Sequence, residues 1–183
     1  ARAYVAGGAA CLSVLTDHEH FGGSADDLEA ARSAVGVPVL RKDFTVDLRD
    51  ICDARLMGAD CVLLIVAALD DGELSDFHAL AVELGIDALV ETHDEAEVER
   101  ALGVGATLIG VNQRDLVTFE VDQQRAVRVA AALPSSVVRV AESGVRGVED
   151  ARALAAAGYD AVLVGESLVT SGDPGAAVQA LRG

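Results

Sequence analysis

One short pattern recurs along the chain and constrains its fold more than any other feature: a glycine, one or two small or acidic residues, and then an aliphatic run. Its glycines are Gly8, Gly58, Gly85, Gly105 and Gly158, and Gly36, which precedes Val37 and Pro38, begins a variant of it. In chain order, the first five of these six glycines are spaced 20 to 28 residues apart. A glycine suits the end of a helix, where a left-handed residue is needed, and the aliphatic run can then enter a sheet. Each interval therefore has the length of one strand followed by one helix.

The pattern predicts seven strands that alternate with seven amphipathic helices. The strands are expected at about 10–14, 38–42, 60–65, 87–91, 107–112, 137–142 and 161–165. The helices are expected near 26–35, 47–57, 73–84, 94–102, 122–132, 147–157 and 174–182. Strict alternation of this kind implies a parallel sheet. Because no Ser/Pro-rich linker or low-complexity stretch interrupts it, the sequence predicts a single domain over residues 1–183.

Polar residues close nearly every predicted strand. Lys42, Glu91, Asn112, Glu142 and Glu166 each follow an apolar run. In a parallel barrel the chemistry lies at the carboxyl ends of the strands, whereas a doubly wound sheet collects it at one switch point, often beside a G-x-G-x-x-G loop. That fingerprint is absent from the sequence. The prediction is a (β/α)8 TIM barrel with seven βα units in this chain; since a closed barrel has eight, the first strand is expected to be missing.

Composition narrows the class of protein. The formal net charge of −16 argues against non-specific binding to nucleic acid, which needs a basic surface. The three cysteines, Cys11, Cys52 and Cys61, are odd in number and lack metal-ligand spacing. Cys11 and Cys61 sit in apolar runs, so we expect buried free thiols, which fit a reducing cytosol. The sequence shows no membrane span or signal peptide. We therefore expect a cytoplasmic protein.

Lys42 and Glu91 are the candidate acid and base. A lysine in a barrel mouth can act as a general acid or bind an anion, although an ion pair with the neighbouring Asp43 is an alternative. A carboxylate ending an apolar strand is costly unless paired, and burial raises its pKa toward the range that suits a general base. The alternative for Glu91 is a loop carboxylate beside Thr92, and His93 is expected to be a solvated loop histidine.

Asn112, Arg114 and Glu142 form a second candidate group. Asn112 and Arg114 are two residues apart at a strand end, so their side chains are expected to point the same way. Glu142 leaves its strand directly into Ser143 and Gly144. Local turn chemistry is the alternative explanation for each of them.

Two glycine loops follow the last two strands and are candidates for binding phosphate. In barrels, the loops after strands 7 and 8 commonly hold phosphate through backbone N–H groups. Ser143 and Gly144 open one loop, and Gly165, Glu166 and Ser167 open the other. We expect the backbone N–H of Glu166 to bind the phosphate and its carboxylate to point away from that anion.

At these residues the chain resembles the indole-3-glycerol-phosphate synthase family. The likeness keeps the family's order and spacing, and its most specific parts are SVLTD and LRKDF. The matching segments are SVLTD at 13–17, FGGS at 21–24, PVLRKDF at 38–44, LVE at 89–91, GVNQRDL at 110–116, AESG at 141–144 and VGESL at 164–168.

The resemblance implies a lyase that closes the ring of 1-(o-carboxyphenylamino)-1-deoxyribulose 5-phosphate with loss of CO2 and water, without a cofactor or metal. By that resemblance Lys42 is the general acid, Glu91 is the general base, and Asn112 and Glu142 organise the charges. The substrate-binding residues are then Arg114, Ser143 and Phe44, and the phosphate-binding residues are Gly144, Gly165, Glu166 and Ser167. The implied partners are a small phosphorylated substrate and other enzymes of the tryptophan pathway, with no nucleic acid or membrane.

Two alternatives stay open. The chain could be another phosphate-sugar barrel enzyme, such as an isomerase, although those typically use a different acid–base pair. It could also be a non-catalytic barrel fragment. The family's first strand carries a further lysine and a glutamate, and no matching segment is found here. A barrel without that strand would have unpaired edges, so the 183 residues alone are expected to be poorly active.

Overall fold

A computed structural model describes residues 1–115 and 118–182. The chain divides into two compact units, Ala1–Leu89 and Val90–Gly183, and the boundary falls within the fourth strand. Leu116, which belongs to one of the family-like segments, lies outside the described residues.

The first unit contains three parallel strands that pair in chain order. They are β1 (Leu12–Leu15), β2 (Val39–Lys42) and β3 (Cys61–Ile65). All five residues of β3 are buried, as expected of a parallel strand covered on both faces. The helices are α1 (Arg2–Ala6), α2 (His18–Phe21), α3 (Ala25–Ala34), α4 (Leu48–Leu56) and α5 (Asp71–Glu83), with a 3-10 turn at Val66–Ala68.

Local side-chain chemistry sets where these helices begin. Asp47 and Asp50 form a capping box at α4, and Asp70 and Glu73 form one at α5. The side-chain hydrogen bond from Arg49 lowers the pKa of Asp47 to about 2. The capping boxes therefore fix the first residues of the two helices, Leu48 in α4 and Asp71 in α5.

The second unit holds the remaining parallel strands. β4 (Asp87–Thr92) begins in the first unit, and its last three residues pair with β5 (Leu108–Asn112); β6 (Val138–Glu142) and β7 (Ala161–Leu163) follow in order. The helices are α6 (Glu95–Gly103), α7 (Arg125–Val129), α8 (Val148–Ala156), α9 (Glu166–Val169) and α10 (Pro174–Arg182), with a 3-10 turn at Ala130–Ala132.

The predicted strands and helices are all present, with bounds shifted by a few residues, and three details differ. The helix expected at 122–132 is shorter, because Asp122 donates its backbone N–H to the Gln113 carbonyl and belongs to a turn. The loop expected to open at 165–167 continues as the short helix α9, and α1 and α2 are not among the predicted helices. Cys61 is buried as expected, whereas Cys11 is exposed. No helix within 1–115 and 118–182 is long and apolar enough to cross a membrane.

Candidate active site

Arg41 determines where Lys42 points. The Arg41 guanidinium bonds Thr16 at 3.1 Å, the Asp50 carbonyl in α4 at 2.9 Å and the Asp43 carboxylate at 2.8 Å. These contacts hold Arg41 on the face of β2 that α4 covers. Successive strand residues point to opposite faces, so Lys42 lies on the other face, at the carboxyl end of β2.

Phe44 belongs to an exposed cluster of three rings in the first unit. It stacks on Phe21 with ring centroids 6.0 Å apart, and His20 meets it edge-on at 5.7 Å. Asp17 orders this turn by capping α2 and by contacting the His20 ring at 3.1 Å. The two stacked phenylalanine rings are about half exposed and give an apolar surface that an aromatic ligand could contact.

Glu91 is a buried carboxylate in the second unit, with 1% of its surface exposed. Its Oε1 atom accepts a hydrogen bond of 3.0 Å from Asn112 Nδ2. The Asn112 amide is itself oriented, because its Oδ1 atom accepts the Arg114 backbone N–H at 3.0 Å. The acid expected at the end of β4 is therefore buried and held in place, which suits a proton acceptor.

Glu142 lies beside this pair. Its Cα is the register partner of Asn112 across β5 and β6, and Glu91 is the partner of Gly110. Parallel partners point to the same face, so the side chains of Glu91, Asn112 and Glu142 share one face of the sheet. Glu142 is 1% exposed. Two buried acids and an amide thus lie at, or next to, the last residue of three neighbouring strands.

Arg114 lies two residues beyond the end of β5, in an isolated antiparallel bridge with Val121. Its guanidinium donates to the Phe119 carbonyl at 3.2 Å and pairs with the Glu166 carboxylate at 3.2 Å. The pair links the loop after β5 to the start of α9. Both side chains retain access to solvent, so the pair contributes little to stability.

Ser143 and Gly144 both have left-handed backbone conformations, with φ of 66° and 72°. Two glutamines hold their carbonyls: Gln113 Nε2 donates to Ser143 at 2.8 Å and Gln123 Nε2 donates to Gly144 at 2.9 Å. A Cβ at Gly144 would lie 2.6 Å from Val121 Cγ1. The position therefore requires glycine for both its φ and its packing.

The loops after β6 and β7 are joined directly. Ser167 Oγ donates to the Val145 carbonyl at 3.0 Å, and Gly165 is the N-cap of α9. A Cβ at Gly165 would meet none of the described residues within 4 Å. The two loops expected to bind phosphate are therefore adjacent, and Gly165 borders open space.

The structure thus brings the predicted residues of the second unit together. In the first unit, Lys42 is the last residue of β2, and Phe44 follows two residues later.

The sequence analysis missed four residues that contact or hold the predicted site residues: Phe21, Gln113, Gln123 and His93. The prediction of a solvated His93 is wrong, because its side chain is 13% exposed and contacts Glu97 at 3.1 Å. Among the described residues, no group of three or more His, Cys, Asp or Glu could hold a metal ion.

The chain matches the sequence model of indole-3-glycerol phosphate synthase over residues 1–181. It belongs to the indole-3-glycerol phosphate synthase family. Relatives bearing that name include proteins of Mycolicibacterium vanbaalenii and Mycobacterium ulcerans, each 58% identical over 97% of this chain, and one of Mycobacterium tuberculosis, 57% identical over the same share. The chain spans 65% of the length of these curated relatives.

Solved structures support the barrel fold of the family. A 3-hexulose-6-phosphate synthase matches with a TM-score of 0.79 at 18% identity, over 98% of this chain and 91% of that one. An N-acetylmannosamine-6-phosphate 2-epimerase from Clostridium perfringens matches with a TM-score of 0.71 at 12% identity, over 91% and 77%. At these identities the likeness concerns the fold alone. The predicted fold class, a (β/α) TIM barrel, is confirmed.

Proposed function

We propose that the protein carrying this chain is an indole-3-glycerol-phosphate synthase. It converts 1-(o-carboxyphenylamino)-1-deoxyribulose 5-phosphate into indole-3-glycerol phosphate, CO2 and water. The family match over residues 1–181 supports this proposal. The observation that carries it is the buried Glu91 carboxylate, held by Asn112 at the carboxyl end of β4. An oriented, desolvated acid of this kind is what a proton-transfer step requires.

The reaction needs a proton donor and a proton acceptor. As the aromatic carbon attacks the ketone, the ketone oxygen must gain a proton, and we assign that donation to Lys42. The ring carboxylate then leaves as CO2. The electrons left by this carboxylate restore the benzene ring. The hydroxyl then leaves as water with a second proton from Lys42, which solvent has reprotonated, while Glu91 accepts the proton lost from the adjoining carbon, and the new double bond completes the indole. Asn112 orients the Glu91 carboxylate through its hydrogen bond, and Glu142, its neighbour on β6, adds a second acid beside the reacting groups.

Recognition of the substrate is assigned to the remaining residues. Phe44 offers a ring face to the anthranilate ring, and Arg114 and Ser143 bind the polar groups of the same part. The adjacent loops at Gly144 and at Gly165, Glu166 and Ser167 bind the phosphate, for which the open space at Gly165 leaves room among the described residues.

The proposed reaction uses acid, base and bound charge, so the activity is expected to survive exhaustive chelation. The small phosphorylated substrate is the expected partner, other enzymes of the tryptophan pathway are the candidate protein partners, and the expected location is the cytoplasm. A single barrel domain over residues 1–183 stays a prediction.

The direct test is to incubate the intact protein with purified substrate and to detect the indole product by chromatography. These 183 residues contain no tryptophan and so add no indole fluorescence of their own. Formation of indole-3-glycerol phosphate with release of CO2 supports the proposal. Consumption of the substrate without CO2 would indicate an isomerase and overturn it.

A further inference from the structure

His93 follows β4 and is anchored by Glu97 in the first turn of α6. Its ring Nδ1 lies 3.1 Å from Glu97 Oε2, and its backbone N–H donates to the same oxygen at 2.7 Å. A carboxylate oxygen only accepts hydrogen bonds, so the Nδ1 atom carries the proton and the Nε2 atom has a free lone pair in the neutral ring. Glu97 is placed in turn, because its N–H bonds the Asp94 side chain.

The other ring nitrogen faces Glu91. His93 Nε2 lies 3.9 Å from Glu91 Oε1, the same oxygen that accepts the hydrogen bond from Asn112. This Nε2 atom is buried and has no hydrogen-bond partner among the described residues. An oriented imidazole with a buried lone pair, next to a candidate base, is costly unless that lone pair is used.

We propose that His93, oriented by Glu97, is a positioning residue for Glu91 that receives the proton Glu91 takes from the substrate. The inference rests on the proposed function, in which Glu91 is the general base. The arrangement of Glu97, His93 and Glu91 follows the general logic of a base that is itself oriented by a third group.

The transfer balances within these groups. When Glu91 has taken a proton, its O–H bond breaks, an N–H bond forms at His93 Nε2, and the electron pair stays on the Glu91 oxygen. The resulting imidazolium lies between the carboxylates of Glu91 and Glu97, which stabilise its charge. The distance of 3.9 Å must shorten by about 1 Å, as catalytic hydrogen bonds do when substrate binds.

His93→Asn separates this role from simple anchoring. The asparagine amide reaches the position of Nδ1, so it can keep the bond to Glu97, but it places no atom where Nε2 lies. In the intact protein we expect kcat to fall about tenfold, which is a common loss when a residue that orients a reactive group is replaced. KM and the melting temperature should be unchanged. Glu97→Gln should lower kcat as well, and the double variant should be no slower than His93→Asn.

Glu95→Gln is the matched control, because Glu95 is an exposed acid in the same first turn of α6. It should leave kcat unchanged. A parent protein that forms indole-3-glycerol phosphate while His93→Asn keeps full kcat would overturn the inference and leave the proposed function intact. If His93→Asn does not fold, full kcat in Glu97→Gln overturns the inference equally. A parent protein that forms no product overturns the proposed function, and the inference with it.

Discussion

Asn112 Nδ2 donates a hydrogen bond of 3.0 Å to Glu91 Oε1 and so joins the ends of β5 and β4 through their side chains. The bond holds the carboxylate in one orientation, and burial excludes water from it. The carboxylate is thus fixed in position but remains able to accept a proton, which is the property that the proposed function requires.

Glu91→Gln should abolish proton acceptance while preserving shape. We expect kcat to fall by about 10² or more, the usual loss when general catalysis is removed. Steady-state kinetics of the intact protein measures it, with the exposed Glu99 changed to Gln as the control. Turnover near that of the parent would show that Glu91 is not the base.

Lys42 is the single lysine among the 183 residues. Lys42→Ala should likewise lower kcat by about 10² because the proton donor is lost. The exposed Arg49, changed to Ala, is a control for removal of a cation from the same unit. Near-parental turnover by Lys42→Ala would show that Lys42 is not the general acid.

Gly165→Val should weaken substrate binding without affecting the fold. A Cβ there meets none of the described residues within 4 Å, and Gly165 is the N-cap of α9, where valine is less favourable than glycine. The unfolding free energy should therefore fall by only about 1 kcal/mol while KM rises. Gly144→Ala is the contrasting change, because φ of 72° and the contact with Val121 should cost about 2 kcal/mol. Denaturant unfolding and KM are measured on both. An unchanged KM in Gly165→Val would mean that the phosphate binds elsewhere.

The buried Tyr159 should make the protein less stable at high pH. Its hydroxyl donates to the Ala126 carbonyl at 2.7 Å, and burial raises its pKa above the ordinary value. Below a pH of about 10, where the unfolded tyrosine is neutral, its contribution is complete; it falls as the pH rises from there toward the folded pKa. Tyr159→Phe should cost about 1–3 kcal/mol at neutral pH, because a buried carbonyl loses its donor.

Urea unfolding at a series of pH values measures both effects. The loss of stability between pH 10 and 11.5 should be shallower in Tyr159→Phe than in the parent, since the tyrosine that ionises on unfolding is gone. Parallel curves for the two proteins would show that Tyr159 does not control the alkaline limit.

The strands and their polar ends were predictable because both follow from short-range patterns. An aliphatic run that ends in Glu91 or Glu142 needs no knowledge of distant residues to be identified as a buried strand with a polar end. His93 was assigned wrongly because polarity along the sequence does not show which way the ring of a loop residue points. Its burial depends on Glu97, one helical turn later, and on Glu91, which precedes it in the strand.

The ring cluster and the glutamine contacts illustrate the same limit. Phe21 and Phe44 are 23 positions apart and meet because β1 and β2 are in register. Gln113 and Gln123 hold carbonyls 30 and 21 residues away. Such contacts are decided by packing of the sheet and its loops, and polarity along the sequence carries no signal of them.

The open space beside Gly165 has a consequence for how this scaffold can change. A Cβ added at that position meets none of the described residues within 4 Å, apart from its chain neighbours. The scaffold therefore accepts the first carbon of a side chain there without a compensating change in the core. Under the proposed function, a library restricted to position 165 is a direct way to vary the size of the anion that the loop accepts.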